Sequence, residues 1–400
     1  MHTSKKGALD MVNIKDYVKA ESDYIISLRR YFHENPEPSL EEYNTAIRIE
    51  EELKAVGIEH KRVGKTGVVG IIKGKREGNK KLVLRADIDA LRVQDLKEET
   101  YKSTQDGMMH ACGHDGHTAS LIGAAKILKA KEAEIGGELY LFFQQAEEIG
   151  QGARVFIEEG YLEGANRILG IHVASDLDVG KVAVTKGAIN ASCDYFKIVV
   201  KGQSAHVSTP QKSVDALYIA SQIVVSLQAI VSRQTDPLDT VVVGIGAMRA
   251  GTAYNVIANE AVLEGTTRSF NNEIRNKTNH AVIKIAKQIG EAYGAYVEVV
   301  FEDYASPLIN NDEVCDEITI VAETIVAKEG VVTTRGKSLG ADDFAEYLLK
   351  VPGMYAFVGT RNENNPNTGK SHHNGLFDMD EQGVLIAANL YVDYALDQLK

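Results

Sequence analysis

DYFKIVVKG, residues 194–202, decides how the chain is divided. It is a short run rich in β-branched and aromatic residues, ended by Gly202, and reads as a strand. A long amphipathic helical stretch follows, SVDALYIASQIVVSLQAIVSRQ (213–234). Two strand-like runs come next, DTVVVGIGAMRAG (239–251) and NVIANEAVLEGTTRSF (255–270), joined through a turn containing Gly251. NEIRNKTNHAVIKIAKQIGEAYG (272–294) predicts a second long helix and AYVEVVFED (295–303) a last strand. The order β-α-β-β-α-β is that of the split, ferredoxin-like unit.

On either side the pattern differs. IKDYVKAESDYIISLRRYFHENPEPS (14–39) predicts a helix stopped at Asn35-Pro36, and SLEEYNTAIRIEEELKAVG (39–57) a second one capped by Ser39 and ended by Gly57. Strand runs GVVGIIKG (67–74), KKLVLRAD (80–87), GELYLFFQQ (137–145) and RILGIHV (167–173) alternate with helices expected over 118–131 and 151–160. Alternation resumes after residue 304, with GMYAFVGT (353–360) and a helix over 381–399. The expected fold class is therefore α/β: a mostly parallel sheet with helices on both faces, interrupted by a ferredoxin-like α+β domain. The expected boundaries are 1–185, 186–304 and 305–400.

Composition narrows the function classes. Of 400 residues 44% are hydrophobic and 25% charged, values of an ordinary globular protein. The net charge of −12 repels phosphate backbones and anionic lipid, which argues against nucleic acid or membrane as a partner. No run reaches the ~18 apolar residues of a membrane span. The first twenty residues lack the apolar core of a signal peptide. Three cysteines, Cys112, Cys193 and Cys315, make no disulfide framework, so a cytoplasmic location is expected.

Open parallel sheets bind ligands beyond the carboxyl ends of their strands. After LVLR come Asp87 and Asp89; after LYLFFQQA come Glu147 and Glu148; after RILGI comes His172; and beyond YAFVGT come His372 and His373. Within MMHACGHDGH (108–117), His110, Cys112, His114 and His117 precede a small-residue helix. Five distant segments thus bring carboxylate, imidazole and thiol to one sheet edge, the donor types of a divalent-metal site. Cys112 and His114, two positions apart, are the expected ligands of their loop. His110 and His117 are expected to donate a hydrogen bond behind the site or to face solvent. The adjacent acids Glu147 and Glu148 point apart, so one can bind metal while the other takes the proton of a metal-activated water.

Seven motifs, MMHACGHDGH, QQAEEIGQGA, GIHV, GQSAHVSTP, GTAYNVIAN, GTTRSF and SHHNGLF, occur in order along nearly the whole chain. Together they resemble the metal-dependent aminoacylase/carboxypeptidase family, in the branch of hippurate hydrolases, N-acyl-amino-acid amidohydrolases and auxin-conjugate hydrolases. The resemblance implies two divalent metal ions per subunit (zinc, manganese or cobalt) held by a bridging Cys112 with His114, Glu148, His172 and His373. It implies Glu147 as general acid/base and Asp87 as the acid that orients a ligand. Position 85, a ligand histidine in other branches, is Arg. It also implies that the inserted domain is a lid that dimerises. His206 would then reach the other subunit's site to polarise the scissile carbonyl, while Asn255 and Arg268 close over the substrate. Two departures concern the pocket wall: Asp342 where the family has Glu, and Gly375 where it has Pro.

The expected activity is hydrolysis of N-acyl amino acids, with a dipeptidase or carboxypeptidase on the same scaffold as the nearest variant. A non-catalytic small-molecule binding protein is the alternative from another class; it would lack a ligand or the base, and every one is present.

Overall fold

The computed structural model describes residues 12–400, so residues 1–11 of the stretch read against a signal peptide lie outside it. Two compact units result. One comprises the chain up to Gly187 together with Ile309–Gly336 and Asp343–Lys400; the other comprises Ala188–Leu308 with Lys337–Asp342.

The larger unit is built on an eight-stranded sheet. Its centre is parallel: Arg76–Asp87 pairs in parallel with Gly136–Gln144 on one side and with Arg167–Asp178 on the other, which pairs in parallel with Gly353–Arg361. The margins turn antiparallel at Glu59–Val63, Gly67–Lys73 and Val182–Ala183, so the sheet is mixed. The central strands carry unbroken apolar runs, such as Leu82–Leu84 and Leu141–Phe143, because both of their faces are covered.

The helix His114–Ala130 lies in the middle of this core, buried continuously from His114 to Ala125. It packs against the helices Ser22–Glu34 and Glu381–Gln398. Small residues make the approach possible: a Cβ on Gly123 would stand 2.4 Å from the Ile25 side chain. The helix begins four residues earlier than its periodicity indicates, so His114 and His117 belong to its first turn rather than to a preceding loop. The helix Tyr43–Ala55 begins later than expected. Ser39 does not cap it; its hydroxyl donates to Asp89 at 2.6 Å instead.

The smaller unit is a four-stranded antiparallel sheet, Cys193–Lys201, Val241–Ala250, Glu260–Ser269 and Tyr296–Ala305, with Cys193–Lys201 and Glu260–Ser269 in its centre. Two helices, Ala216–Ala229 and Asn272–Ala292, complete the βαββαβ order. The apolar count understated one stretch: Ala216–Gln234 is the one helical segment among the described residues with the length and apolar content of a membrane span. Its Ile219, Ile223, Leu227 and Ile230 are buried in the core of this unit, while Leu217, Tyr218 and Val225 remain exposed.

A buried ion network anchors the start of the helix His114–Ala130. Arg29 is fully buried; its Nε lies 3.0 Å from Asp115, and its Nη2 donates to Asp378 at 2.8 Å. His33 donates from Nδ1 to Asp115 at 2.7 Å, and Lys97 donates to His33 Nε2 at 2.9 Å. Burial raises the Asp115 pKa, but the charge of Arg29, together with the hydrogen bond from His33, outweighs it and holds the carboxyl far below the ordinary range. Removing one partner of such a network leaves a buried charge uncompensated, at about 3–5 kcal/mol. Arg29→Met is therefore expected to lose about that much stability in urea unfolding; an unchanged midpoint would show that the network adds nothing.

Candidate metal centre

The site forms at the carboxyl ends of the parallel strands of the larger unit. Gly113, at φ +92°, turns the chain into the helix, and a Cβ there would meet Val173 at 2.4 Å. This turn sets Cys112 before the helix and His114 on it. Cys112 Sγ lies 3.5 Å from His172 Nε2. The ligand atoms of Cys112, His114 and His172 all lie within 4.8 Å of one another, and so do those of Cys112, Glu148 and His373. Two donor sets therefore share the Cys112 thiol. A third set, His114 with Glu147 and Glu148, links them.

The tautomers are set by the backbone. His114 donates from Nδ1 to the Asp89 carbonyl at 2.9 Å, and His172 from Nδ1 to the Val173 carbonyl at 2.6 Å. Both rings are left with Nε2 directed into the site, the usual arrangement for metal-binding imidazoles. His373 Nε2 lies 3.5 Å from Glu148, on a backbone held at φ +63°. Its neighbour His372 instead donates from Nδ1 to the Cys112 carbonyl at 3.1 Å and packs on Phe377.

The other two histidines of the cluster do not face solvent. His117 uses both nitrogens: Nδ1 donates to Asp87 at 2.5 Å and Nε2 accepts from the Val173 amide at 2.9 Å. His110 is buried with neither ring nitrogen hydrogen-bonded, and burial pushes its pKa down to about 3. Asp87 also takes a hydrogen bond from Arg85 Nη1 at 2.6 Å and lies 3.7 Å from His114 Nε2. Arg85 thus spends its guanidinium behind the site, donating to Gln144 and Asp343 as well.

The electrostatics favour a cation. Burial lowers the His114 pKa, yet Asp87 and then Asp89 outweigh it and raise it to about 10. Burial raises Glu148 to about 7. His172 is held well below its ordinary value by burial and so stays a neutral donor. His114 Nε2 and Glu148 Oε1 are buried and lack a hydrogen-bond partner. Thiolate, neutral imidazole and carboxylate suit zinc and neighbouring divalent ions, so the residues present fit such ions.

Glu147 and Glu148 share one tight turn and do not point apart: each brings a carboxylate oxygen to 3.9 Å from His114 Nε2. Ala146 is left-handed at φ +53°, Glu147–Ile149 forms one 3-10 turn, and Gly150 is left-handed again. Glu147 is buried, with its carboxylate 3.9 Å from His114 Nε2. Glu42 and Asp89 hold this turn through its backbone amides, and the motifs imply no role for either; their sequence signals are a helix start and a second acid two positions past Asp87. Gly375 has a steric origin: a Cβ there would stand 2.3 Å from the Gln94 carbonyl.

His206, Asn255 and Arg268 belong to the smaller unit. His206 pairs with Val256 in a β-bridge, and the Asn255 carbonyl accepts from the Val207 amide at 3.2 Å, so His206 and Asn255 are neighbours. His206 Nδ1 accepts from the Ser208 amide at 3.1 Å, which leaves Nε2 as the N–H of the neutral ring. Arg268 donates to the Leu339 carbonyl at 3.3 Å. Asp342 is buried in the same unit.

Comparison with known proteins gives the family. "Thermostable carboxypeptidase 2" of Saccharolobus solfataricus is 40% identical over 390 residues, 95% of this chain and 97% of that protein. "N-acetylcysteine deacetylase" of Bacillus subtilis is 38% identical over 381 residues, 94% and 97% respectively. The crystal structure of the Bacillus subtilis YXEP protein, described as a dinuclear metal binding peptidase from the M20 family, superposes with a TM-score of 0.82 at 36% identity, covering 95% of this chain and 99% of that one. Residues 83–397 match the description of peptidase family M20/M25/M40, and the chain belongs to that family.

Proposed function

We propose that the protein is a metal-dependent amidohydrolase that cleaves the amide bond of N-acyl amino acids, acting in the cytoplasm as a homodimer. The observation that carries this reading is the thiol of Cys112 shared between two donor sets, His114 with His172 and Glu148 with His373, beside the buried Glu147. Relatives named as a deacetylase of an N-acetylated amino acid and as a dinuclear metal peptidase support it. So do the three free thiols, which suit a reducing compartment.

Cys112, His114, Glu148, His172 and His373 would hold two divalent ions, which when bound would supply Lewis-acid polarisation and lower the pKa of water toward about 7. The chain's own groups do the rest. Glu147 accepts the proton of the attacking water and returns it to the leaving amine. Asp87, fixed by Arg85 and His117, holds negative charge behind His114. His206 offers its Nε2–H to the developing oxyanion, from the partner subunit. Arg268 supplies a planar fork for the substrate carboxylate, and Asn255 lies with His206 on the closing face. The segment 186–304 is the lid through which the subunits pair.

The carboxypeptidase relative favours a second reading, in which the acyl group is itself a peptide. Elemental analysis combined with hydrolysis of a panel of acetyl- and benzoyl-amino acids and dipeptides separates the two. The expected result is chelator-sensitive release of free amino acid from the N-acyl series, restored by added zinc, manganese or cobalt. Full activity of a protein stripped of metal would sink the metal mechanism, and turnover of peptides alone would favour the second reading.

Base and ligand are separable. Glu147→Gln is expected to keep its metal and lose at least about 100-fold in kcat, whereas Glu148→Gln is expected to lose metal. The reverse pattern would exchange their roles.

Cross-subunit action is tested by complementation. His206→Ala and Glu147→Gln, each inactive, are mixed under conditions of subunit exchange. In a mixed two-fold dimer one site has both intact groups and the other has neither. Random exchange then makes about one quarter of all sites active. No recovery in proven heterodimers would confine His206 to its own subunit.

A further inference from the structure

The turn that carries Glu147 and Glu148 is strained, and the three successive backbone amides at its start are all held by carboxylates. Ala146, at φ +53°, donates its N–H to Glu42 Oε1 at 2.9 Å. Glu147 donates its N–H to Asp89 Oδ1 at 3.1 Å, and Glu148 its N–H to Asp89 Oδ2 at 3.0 Å. The two acids come from far away in the chain: Glu42 from the start of the helix Tyr43–Ala55, Asp89 from just beyond the strand Arg76–Asp87. Both are almost completely buried. Each is fixed in turn, Glu42 Oε2 by the Thr66 hydroxyl at 2.6 Å and Asp89 Oδ2 by the Ser39 hydroxyl at 2.6 Å. The backbone carbonyl of Asp89 meanwhile accepts the Nδ1–H of His114.

We propose that Asp89, with Glu42 beside it, is a positioning residue for the hydrolytic site, holding the base Glu147 and the ligands Glu148 and His114 in mutual register. This inference rests on the function proposed above and extends it to residues outside the donor set. A left-handed backbone at a non-glycine residue costs about 1–3 kcal/mol and persists only where its surroundings impose it. Here the imposition is chemical. Charge-assisted hydrogen bonds from backbone N–H to carboxylate are about twice as strong as neutral ones, and Asp89 uses one oxygen on each of two adjacent residues with different tasks. The backbones of Glu147 and Glu148 are thereby held by a single side chain, which keeps both carboxylates beside His114. Asparagine cannot replace it: one of its two terminal atoms is a donor and would face a backbone donor.

The test uses Asp89→Asn in the full-length protein, with zinc affinity measured by competition against a chromophoric chelator and kinetics on the N-acyl substrate found for the wild type. The expected result is a folded protein with zinc affinity lowered about 10- to 100-fold, the usual scale for residues behind metal ligands. kcat is expected to fall by a similar factor with KM within about twofold, because substrate-binding groups are untouched. Ser39→Ala, which removes one bond to Asp89 from a half-buried site, is expected to shift both quantities in the same direction by less. It carries the test if Asp89→Asn does not fold. A role confined to stability would lower the melting temperature and leave zinc affinity and kcat at wild-type values in either folded variant; that outcome overturns the proposal. A wild-type protein that binds no zinc overturns the metal reading, and the clamp falls with it.

Discussion

Burial of negative charge is the constraint around which the larger unit is organised. Asp87, Asp89, Asp115 and Glu147 are all within a few per cent of full burial, and they crowd the ends of adjacent strands and the first turn of one helix. Isolated carboxylates do not survive in such surroundings. The three aspartates are answered by Arg85 and His117 for Asp87, Arg29 and His33 for Asp115, and two backbone amides with a serine for Asp89. Beside them His114 Nε2 and Glu148 Oε1 are buried without a hydrogen-bond partner, and the surrounding carboxylates favour a positive charge there.

Several helices that serve the site pack where they do because of this balancing. Arg29 belongs to the helix Ser22–Glu34 and binds Asp115 and Asp378 together, so it links the first and last parts of the larger unit under the helix that carries His114. The helix itself is lined with Ala, Gly and Ser because it is enclosed on every side, which makes it stiff support for the residues at its tip.

Much of this architecture is legible in the sequence, since apolar runs of period two or 3.6 and their Gly or Pro stops report local burial. The βαββαβ order is read directly from 194–303, and the alternation outside it from the runs that end in Asp87, Gln145 and Val173. What is not legible follows from the same logic. Periodicity says nothing about the antiparallel margins of the large sheet, which depend on partners distant in the chain. It also placed the start of the helix His114–Ala130 too late, because a helix buried all round has no polar face to mark its first turn. At the site, residue type and spacing indicate which side chains can donate, but not which nitrogen of His117 is already used by Val173. Nor do they show that Ser39, by type a helix cap, is committed to Asp89. Glu42 carries no motif at all; its part depends on reaching the amide of Ala146, 104 residues away.

The spacing of the donors along the chain has a consequence for biosynthesis. His172 sits on a strand whose second parallel neighbour, Gly353–Arg361, is made only after the whole of Ala188–Leu308, and His373 follows later still. Domains generally fold as units in order of synthesis. The ferredoxin-like unit can thus be complete while the sheet edge that receives His373 is still open. Newly made chains pass through an interval in which Cys112 is present with an incomplete set of partners. The last tenth of the polypeptide then brings His373, the last of the candidate donors, beside Cys112 and Glu148.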